Sequence, residues 1–402
     1  MQATPSDTDA GLSAATTLLR TLGRVLGPAV PPIPLHAPTL GKLERDALMA
    51  CLDSEFVSSV GAYVDEFEAR LRDFTGAKYA VVVVNGTAAL QVALTLAGVR
   101  ALDEVIVPAL SFVATANAVC HCGAVPHFVD SAEATMGLDP AALDRHLSAV
   151  LEWSQGQPRN RLTGARVAAI VPMHTYGHPV NMSALLEVAG RHGIPIVEDA
   201  AESLGSTYQG QHTGTFGRLG TLSFNGNKLV TTGGGGAILT DDQELGTRAK
   251  HLTTTAKRPH RWEFDHDEVA WNYRMPNLNA ALGCAQMERL PGMLEQKRRL
   301  AQRYRVAFDG CRQLRFVVEP PNTFSNYWLN TVQLTAPSLQ ARTETLAAVN
   351  DAGYQCRPTW RPLHQLPMFT KAPRAPLPIA ESLALSLVNI PSSPHLATPV
   401  VR

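Results

Sequence analysis

Three short stretches of the 402-residue sequence carry residue types that can do chemistry together. The first, SFNGNKLVTTGGGG at 223–236, sets Lys228 between a short apolar run ending at Ser223 and four glycines. A lysine amine acts as a nucleophile only when neutral, so it must be desolvated or lie near another cation. A solvated lysine beside a glycine-rich loop is the alternative reading. The stretch is not a nucleotide loop of the G-x-x-x-x-G-K-[S/T] kind, because its lysine precedes the glycines. The second stretch, VVNGTAAL at 83–90, runs from an apolar strand through Asn85-Gly86-Thr87 directly into a helix. Free N–H groups and the positive dipole end of a helix suit a phosphate, Gly86 permits close approach, and Thr87 adds a hydroxyl. A threonine-capped helix after a tight turn fits the same letters. The third, IPIVEDAAESLGS at 194–206, puts Glu198 and Asp199 at the carboxyl end of an apolar strand, where parallel sheets gather ligands. A buried acid there needs a cation or hydrogen-bond donors, and a structural Asp capping the next helix would also satisfy the pattern.

The elements around these stretches must bring them to one place. Between about residues 76 and 240 seven apolar runs (YAVVVV, EVIVP, VPHFVD, RVAAIVPM, IPIVED, GTLSF and GAILT) are interleaved with helix-like segments such as GTAALQVALTLAG, ANAVCHCG and NMSALLEVAGRHG. Continuous apolar strands alternating with helices predict an α/β fold, a mostly parallel sheet covered on both faces. After about residue 275 the texture changes. A long helix with a break near Pro291, a strand in WLNTVQLTA and a helix ended by Gly353 predict a smaller α+β body. Near the amino terminus, GLSAATTLLRTLGRVLG reads as a short amphipathic helix followed by a proline-rich strap. A phosphate cradle, a carboxylate and a lysine on one sheet edge are together what pyridoxal 5′-phosphate requires. The lysine bonds the cofactor's aldehyde carbon as a Schiff base, the acid keeps the pyridine nitrogen protonated, and the helix terminus takes the phosphate.

Composition excludes several other classes. Lys plus Arg and Asp plus Glu are 35 each, so no charge excess points to nucleic acid or an anionic membrane. Six scattered cysteines suit free thiols in a reducing cytoplasm, and Cys120-His121-Cys122 lacks a second ligand pair at zinc-site spacing. No apolar run is long enough to span a bilayer, and the expectation is a cytoplasmic protein. No G-x-G-x-x-G turn follows the first strand, which disfavours a dinucleotide module.

The motifs NGTAAL, VPALSFVATANAV, EDAAESLGSTYQGQHTGTFGRLGTLSFNGNKLVTTGGGG and WNYRMPNLNAALG closely resemble the DegT/DnrJ/EryC1/StrS family of PLP-dependent nucleotide-sugar aminotransferases, over about residues 36 to 395. The resemblance implies fold type I of the PLP enzymes, with a seven-stranded sheet in a large domain (37–275), a small C-terminal domain (276–402) and an N-terminal extension (1–36). It also implies a homodimer with shared active sites. By it, Lys228 is the cofactor-bearing lysine, and Asp199 is the partner of the pyridine nitrogen. Gly86, Thr87 and Ser223 hold the phosphate, and Phe112 stacks on the ring. Glu202 lies near the ring hydroxyl, and Asn272 reaches the phosphate of the neighbouring subunit. Family members with histidine at the lysine position are dehydratases, so Lys228 favours transamination. Gly234 stands where the family commonly has Glu, a departure that removes any role of that acid. Further motifs, among them SNYWLN and RPTWRPLHQLPMF, resemble the LegC-type branch. That branch implies glutamate as amino donor and a UDP-linked 4-keto-6-deoxy-N-acetylhexosamine as acceptor, with GDP- or dTDP-linked sugars or a non-catalytic regulator as alternatives. His174, Tyr176, Trp360, Arg361 and His364 are the candidate substrate contacts.

Overall fold

The computed structural model describes residues 12–398. Each of the seven apolar runs forms a strand: β1 (Tyr79–Val83), β2 (Glu104–Pro108), β3 (Val125–Val129), β4 (Val167–Ile170), β5 (Val197–Asp199), β6 (Leu219–Ser223) and β7 (Gly236–Thr240). They form two ladders rather than one uninterrupted sheet. One runs β1-β7-β6-β5, with β7 antiparallel to both neighbours and β6 parallel to β5. The other runs β3-β2-β4, all parallel. Isolated parallel bridges from Ile170 to Ile196 and from Met173 to Asp199 set β4 against β5. The interruption has a local cause. Pro172 and Pro195 flank this step and have no N–H to donate, so only their carbonyls pair, with Asp199 N–H at 2.9 Å and Ile170 N–H at 2.9 Å.

Alternation along β1 explains how helices come to cover both faces. Val81 and Val83 join one apolar cluster with the helices Gly86–Leu96 and Val113–His121. Ala80 and Val82 join another, with Phe67 and Leu71 of the helix Ala62–Thr75 and with Cys284 and Leu290. Period-two packing thus fixes the strand register against two layers.

The helix expected to break at Pro291 does not: it runs unbroken from Asn277 to Phe308. Pro291 and Gly292 lie on its exposed side. Its buried side packs over its whole length, which outweighs the one backbone hydrogen bond a proline removes. Its first half packs in the large body through Cys284, Met287 and Leu290, and its second half in the small one through Leu300, Tyr304 and Phe308. The expected division at 275/276 therefore falls at the start of an element that both bodies share.

The small body is an antiparallel sheet of β8 (Leu314–Phe316), β9 (Asn330–Leu334), β10 (Arg357–Pro358) and β11 (Leu387–Ile390), in the order β8-β9-β11-β10. The helix Leu339–Asp351 covers it and ends before Gly353, whose φ of +88° is the left-handed conformation of a helix stop. The N-terminal extension completes this body's core. Its helix, Ala14–Leu26, is capped by Ser13 and buries Leu18, Leu22, Val25 and Leu26 against Tyr304, Val349 and Tyr354. The strap that follows is tied down on both sides: Ile33 N–H donates to Gly353 O and Gln355 N–H to Ile33 O, both at 2.9 Å, and Ser392 N–H donates to Leu35 O at 2.7 Å. Gly11, quoted as the first residue of the amphipathic stretch, lies outside the described residues.

Leu22 is fully buried in that core, so Leu22→Ala should lower the unfolding free energy by about 2–5 kcal/mol. Urea unfolding followed by circular dichroism measures this, and an unchanged midpoint would place the N-terminal helix outside the cooperative core.

Candidate active site

At the carboxyl ends of β1, β5 and β6 lies a cavity of about 330 Å³. Seven residues singled out in the sequence line it together: Gly86, Thr87, Phe112, Asp199, Glu202, Ser223 and Lys228. Trp360, a candidate substrate contact, joins them.

The floor is the turn between β1 and the helix Gly86–Leu96. The cap of this helix is Asn85, not Thr87: its Oδ1 accepts from Ala88 N–H at 2.8 Å. Thr87 is thereby left to present its hydroxyl to the cavity. The turn is packed too tightly for side chains. A Cβ on Gly86 would stand 2.9 Å from that of Ser223, and one on Gly236 would stand 2.6 Å from the Asn85 carbonyl. The last glycine of the quartet thus serves the turn at Asn85-Gly86 rather than the lysine. Gly86, Thr87 and Ser223 surround one helix N-terminus, the donor set that a phosphate needs.

Asp199, at the end of β5, is buried. Its Oδ2 accepts from Thr115 Oγ1 at 2.8 Å and its Oδ1 from Ala201 N–H at 3.2 Å. Because the Thr115 proton points at Asp199, the 2.7 Å contact between Ser111 and Thr115 must be donated by Ser111. Burial pushes the Asp199 carboxyl up from its ordinary range, opposed by Thr115, Ala201 and the charge of Lys228. A buried carboxylate held by neutral donors, with no cation in contact, is arranged to receive a cationic N–H such as a protonated pyridine.

Lys228 is largely buried and donates from Nζ to Glu202 Oε1 at 3.2 Å. The Trp328 ring lies under the amine, 3.8 Å from Nζ to its centroid. Trp328 is held in turn by its indole N–H, which donates to Asn227 O at 2.8 Å. The second Glu202 oxygen accepts from Tyr176 N–H at 2.9 Å. Tyr176 reaches it from a left-handed backbone conformation, φ +56°, that non-glycine residues seldom adopt. Burial pushes Glu202 up to about 7, against the pull of Lys228 and of the Tyr176 N–H. Of the described lining residues, Lys228 alone is a lysine or arginine. The donors, the glycine turn, the buried acid and the lysine all fit pyridoxal phosphate.

Other candidates stand elsewhere. His174 is fully buried behind β5, with Nδ1 accepting from Val180 N–H at 3.2 Å and Nε2 3.0 Å from Glu198. Glu198 also accepts from the N–H groups of Gly214, Phe216 and Gly217. Both ring nitrogens of His174 are thus engaged in structure rather than in the cavity. Tyr176 does not line the cavity; its ring lies 4.8 Å from that of Trp360 and its hydroxyl 2.6 Å from Thr359. Arg361 is exposed and does not line the cavity, and His364 is buried against Glu381 at 3.1 Å. Asn272 is exposed and accepts from Arg274 Nε at 3.0 Å. Sequence reasoning assigned no role to Thr115, Asn227 or Trp328. Thr115 lies within the quoted VPALSFVATANAV and Trp328 within SNYWLN, but nothing in their spacing shows that they meet Asp199 and Lys228.

A family model described as the DegT/DnrJ/EryC1/StrS aminotransferase family matches residues 38–402. GDP-perosamine synthase of Caulobacter vibrioides is 36% identical over 368 residues, covering 90% of this chain and 94% of that protein. UDP-2-acetamido-2-deoxy-3-oxo-D-glucuronate aminotransferase of Pseudomonas aeruginosa is 31% identical, with 85% and 89% covered. Among solved structures, the aminotransferase TlmJ from Streptoalloteichus hindustanus superposes with a TM-score of 0.81 at 28% identity, covering 90% of this chain and 93% of that one. Among the described residues, no helix is long and apolar enough to cross a membrane.

The raised Glu202 carboxyl makes stability depend on pH. Between its ordinary value of 4.5 and about 7 the native state holds a proton that the unfolded chain has released. Stability contributed at Glu202 therefore falls as pH rises through that window and stays lower above it. Glu202→Gln removes this dependence. Chemical denaturation of the cofactor-free protein should show the wild type losing stability relative to Glu202→Gln from pH 5 to 8, and parallel curves would contradict the assignment.

Proposed function

The chain belongs to the DegT/DnrJ/EryC1/StrS aminotransferase family of PLP-dependent nucleotide-sugar aminotransferases, and from that premise we propose that it moves the amino group of glutamate to the keto carbon of a GDP-linked 4-keto-6-deoxyhexose. One observation carries the chemistry: Lys228, Asp199 and the Gly86–Thr87–Ser223 cradle line a single cavity. For the nucleotide, the relative named GDP-perosamine synthase, at 36% identity, outweighs the UDP-sugar relative at 31%. That ordering favours GDP over the UDP-linked acceptor suggested by the LegC-type motifs. In a homodimer the exposed Asn272 would reach the partner's phosphate site.

When bound, pyridoxal phosphate supplies an electron sink for the carbon that loses or gains a proton. The protein's part is positioning and proton transfer. The helix terminus at Gly86 and the hydroxyls of Thr87 and Ser223 hold the phosphate, and Asp199 holds the ring nitrogen protonated. Phe112, at the start of the helix Val113–His121, covers the ring. Lys228 Nζ takes the proton from the donor's α-carbon in one half of the cycle and returns one to the sugar carbon in the other. A single amine serving as both base and acid needs a proton affinity near working pH. Glu202 and Trp328 hold that amine in place.

Lys228→Ala should reduce turnover by about 10³-fold or more, and Asp199→Asn by about 10²-fold or more. Glutamate-dependent formation of amino sugar from GDP-, UDP- and dTDP-linked 4-keto sugars, followed by mass spectrometry, is the direct test. Product with the GDP sugar alone supports the reading. Product confined to UDP or dTDP sugars corrects the nucleotide, and no product with any of them overturns the proposal.

A further inference from the structure

A second cavity, of about 450 Å³, lies on the far side of the wall formed by Asn227, Trp328 and Trp360, residues that line both spaces. Its other sides come from the N-terminal strap and the small-body edge, with His36, Gln355 and Arg357 among them. Two features set this space apart.

The first is His36. Both its ring nitrogens are buried and neither makes a well-formed hydrogen bond, the Asn227 backbone being the one polar group close to the ring. The backbone on either side of it is pinned: Leu35 O accepts from Ser392 N–H at 2.7 Å, and Ala37 N–H donates to Ser393 Oγ at 2.9 Å. A buried polar ring with at least one nitrogen left unsatisfied is costly unless something binds it. Burial, with the charges of Lys297 and Lys228, holds His36 well below its ordinary range, so the ring is neutral and offers one N–H donor and one acceptor.

The second is charge. Among the described residues that line the cavity, Arg357 is the one formally charged residue, and none is Asp or Glu. Its guanidinium makes a single long contact, 3.4 Å to the adjacent Cys356 carbonyl. One fork-shaped cation beside one neutral imidazole matches a single carboxylate. A diphosphate carries more charge than this lining offsets.

We infer that this compartment takes the distal carboxylate of a dicarboxylate amino donor, bound by Arg357 with a second hydrogen bond from His36, while the donor's amine passes along the Trp328–Trp360 edge that the two cavities share, toward Lys228. The inference rests on the aminotransferase reading above and adds donor recognition to it. The shared chemistry is an anionic oxygen pair, and the competing source is a phosphate of the nucleotide sugar.

The test uses the cofactor-loaded enzyme and the variants Arg357→Gln and His36→Leu, with melting temperatures recorded to confirm folding. In a ping-pong reaction kcat/KM for each substrate reports its own half of the cycle, so the two are read separately. Glutarate, an inert dicarboxylate, gives a binding readout by calorimetry that is independent of turnover. Arg357→Gln should lower kcat/KM for glutamate by about tenfold or more, weaken glutarate by a similar factor, and leave kcat/KM for the nucleotide sugar within about twofold. His36→Leu should act in the same direction. A loss confined to the nucleotide sugar, an equal loss for both substrates, or no loss at all overturns the assignment. If wild-type enzyme uses no glutamate, the failure belongs to the aminotransferase reading, and glutarate binding to wild type and Arg357→Gln still decides whether the compartment takes a dicarboxylate.

Discussion

The site depends on keeping a lysine amine beside a carboxylate inside apolar protein. Placing both charges there costs several kcal/mol of hydration, and only close geometry with further hydrogen bonds offsets it. The chain supplies that geometry from four directions. Glu202 faces Lys228, Tyr176 N–H occupies the other Glu202 oxygen, Trp328 lies under the amine, and Asn227 holds Trp328. Burial nonetheless pushes Glu202 up to about 7, against the pull of Lys228 and of the Tyr176 N–H. The left-handed backbone at Tyr176 is strain held in place by this network.

Asp199 extends the same logic without a cation of its own. Its partners, the Thr115 hydroxyl and the Ala201 N–H, are neutral, and Ser111 fixes the direction of the Thr115 proton. Neutral donors orient the carboxylate while leaving its charge uncompensated. The two acids of the cavity thus stand in different settings, one against the Lys228 amine and the other open to a positive nitrogen.

Much of this was legible in the sequence because it is local. Apolar runs bounded by turn residues marked the seven strands of the two main ladders, though not the short hairpins at 151–160 and 207–212, and strand ends marked Asn85-Gly86-Thr87, Asp199 and Ser223 as neighbours of one sheet edge. What was not legible depends on residues distant in the chain. Trp328 and Lys228 are 100 residues apart in sequence, and only the small body's fold brings them together. His174 was misjudged because a strand-end histidine can face either the ligand or the sheet's own interior, and the Glu198 side chain decides for the interior. Pro291 was misjudged because propensity is local, whereas the helix through it is held by packing on two bodies.

The wall between the two cavities extends this dependence to the amino terminus. Trp328 is positioned at its indole by Asn227, and at its carbonyl by Lys297, whose Nζ donates at 2.7 Å and also bonds Ser392 O. Lys297 is fully buried without a carboxylate partner, and burial pulls its amine well below the usual lysine range. A leucine of similar size would leave both carbonyls unpaired, so the lysine serves as a donor rather than as a charge. Ser392 is also where the strap is pinned, through Leu35 O. The strap, the long shared helix and the aromatic under Lys228 are therefore joined through Lys297 and Ser392. The strap is thus tied by hydrogen bonds to the residue under the reactive amine, although none of the extension's described residues lines the first cavity.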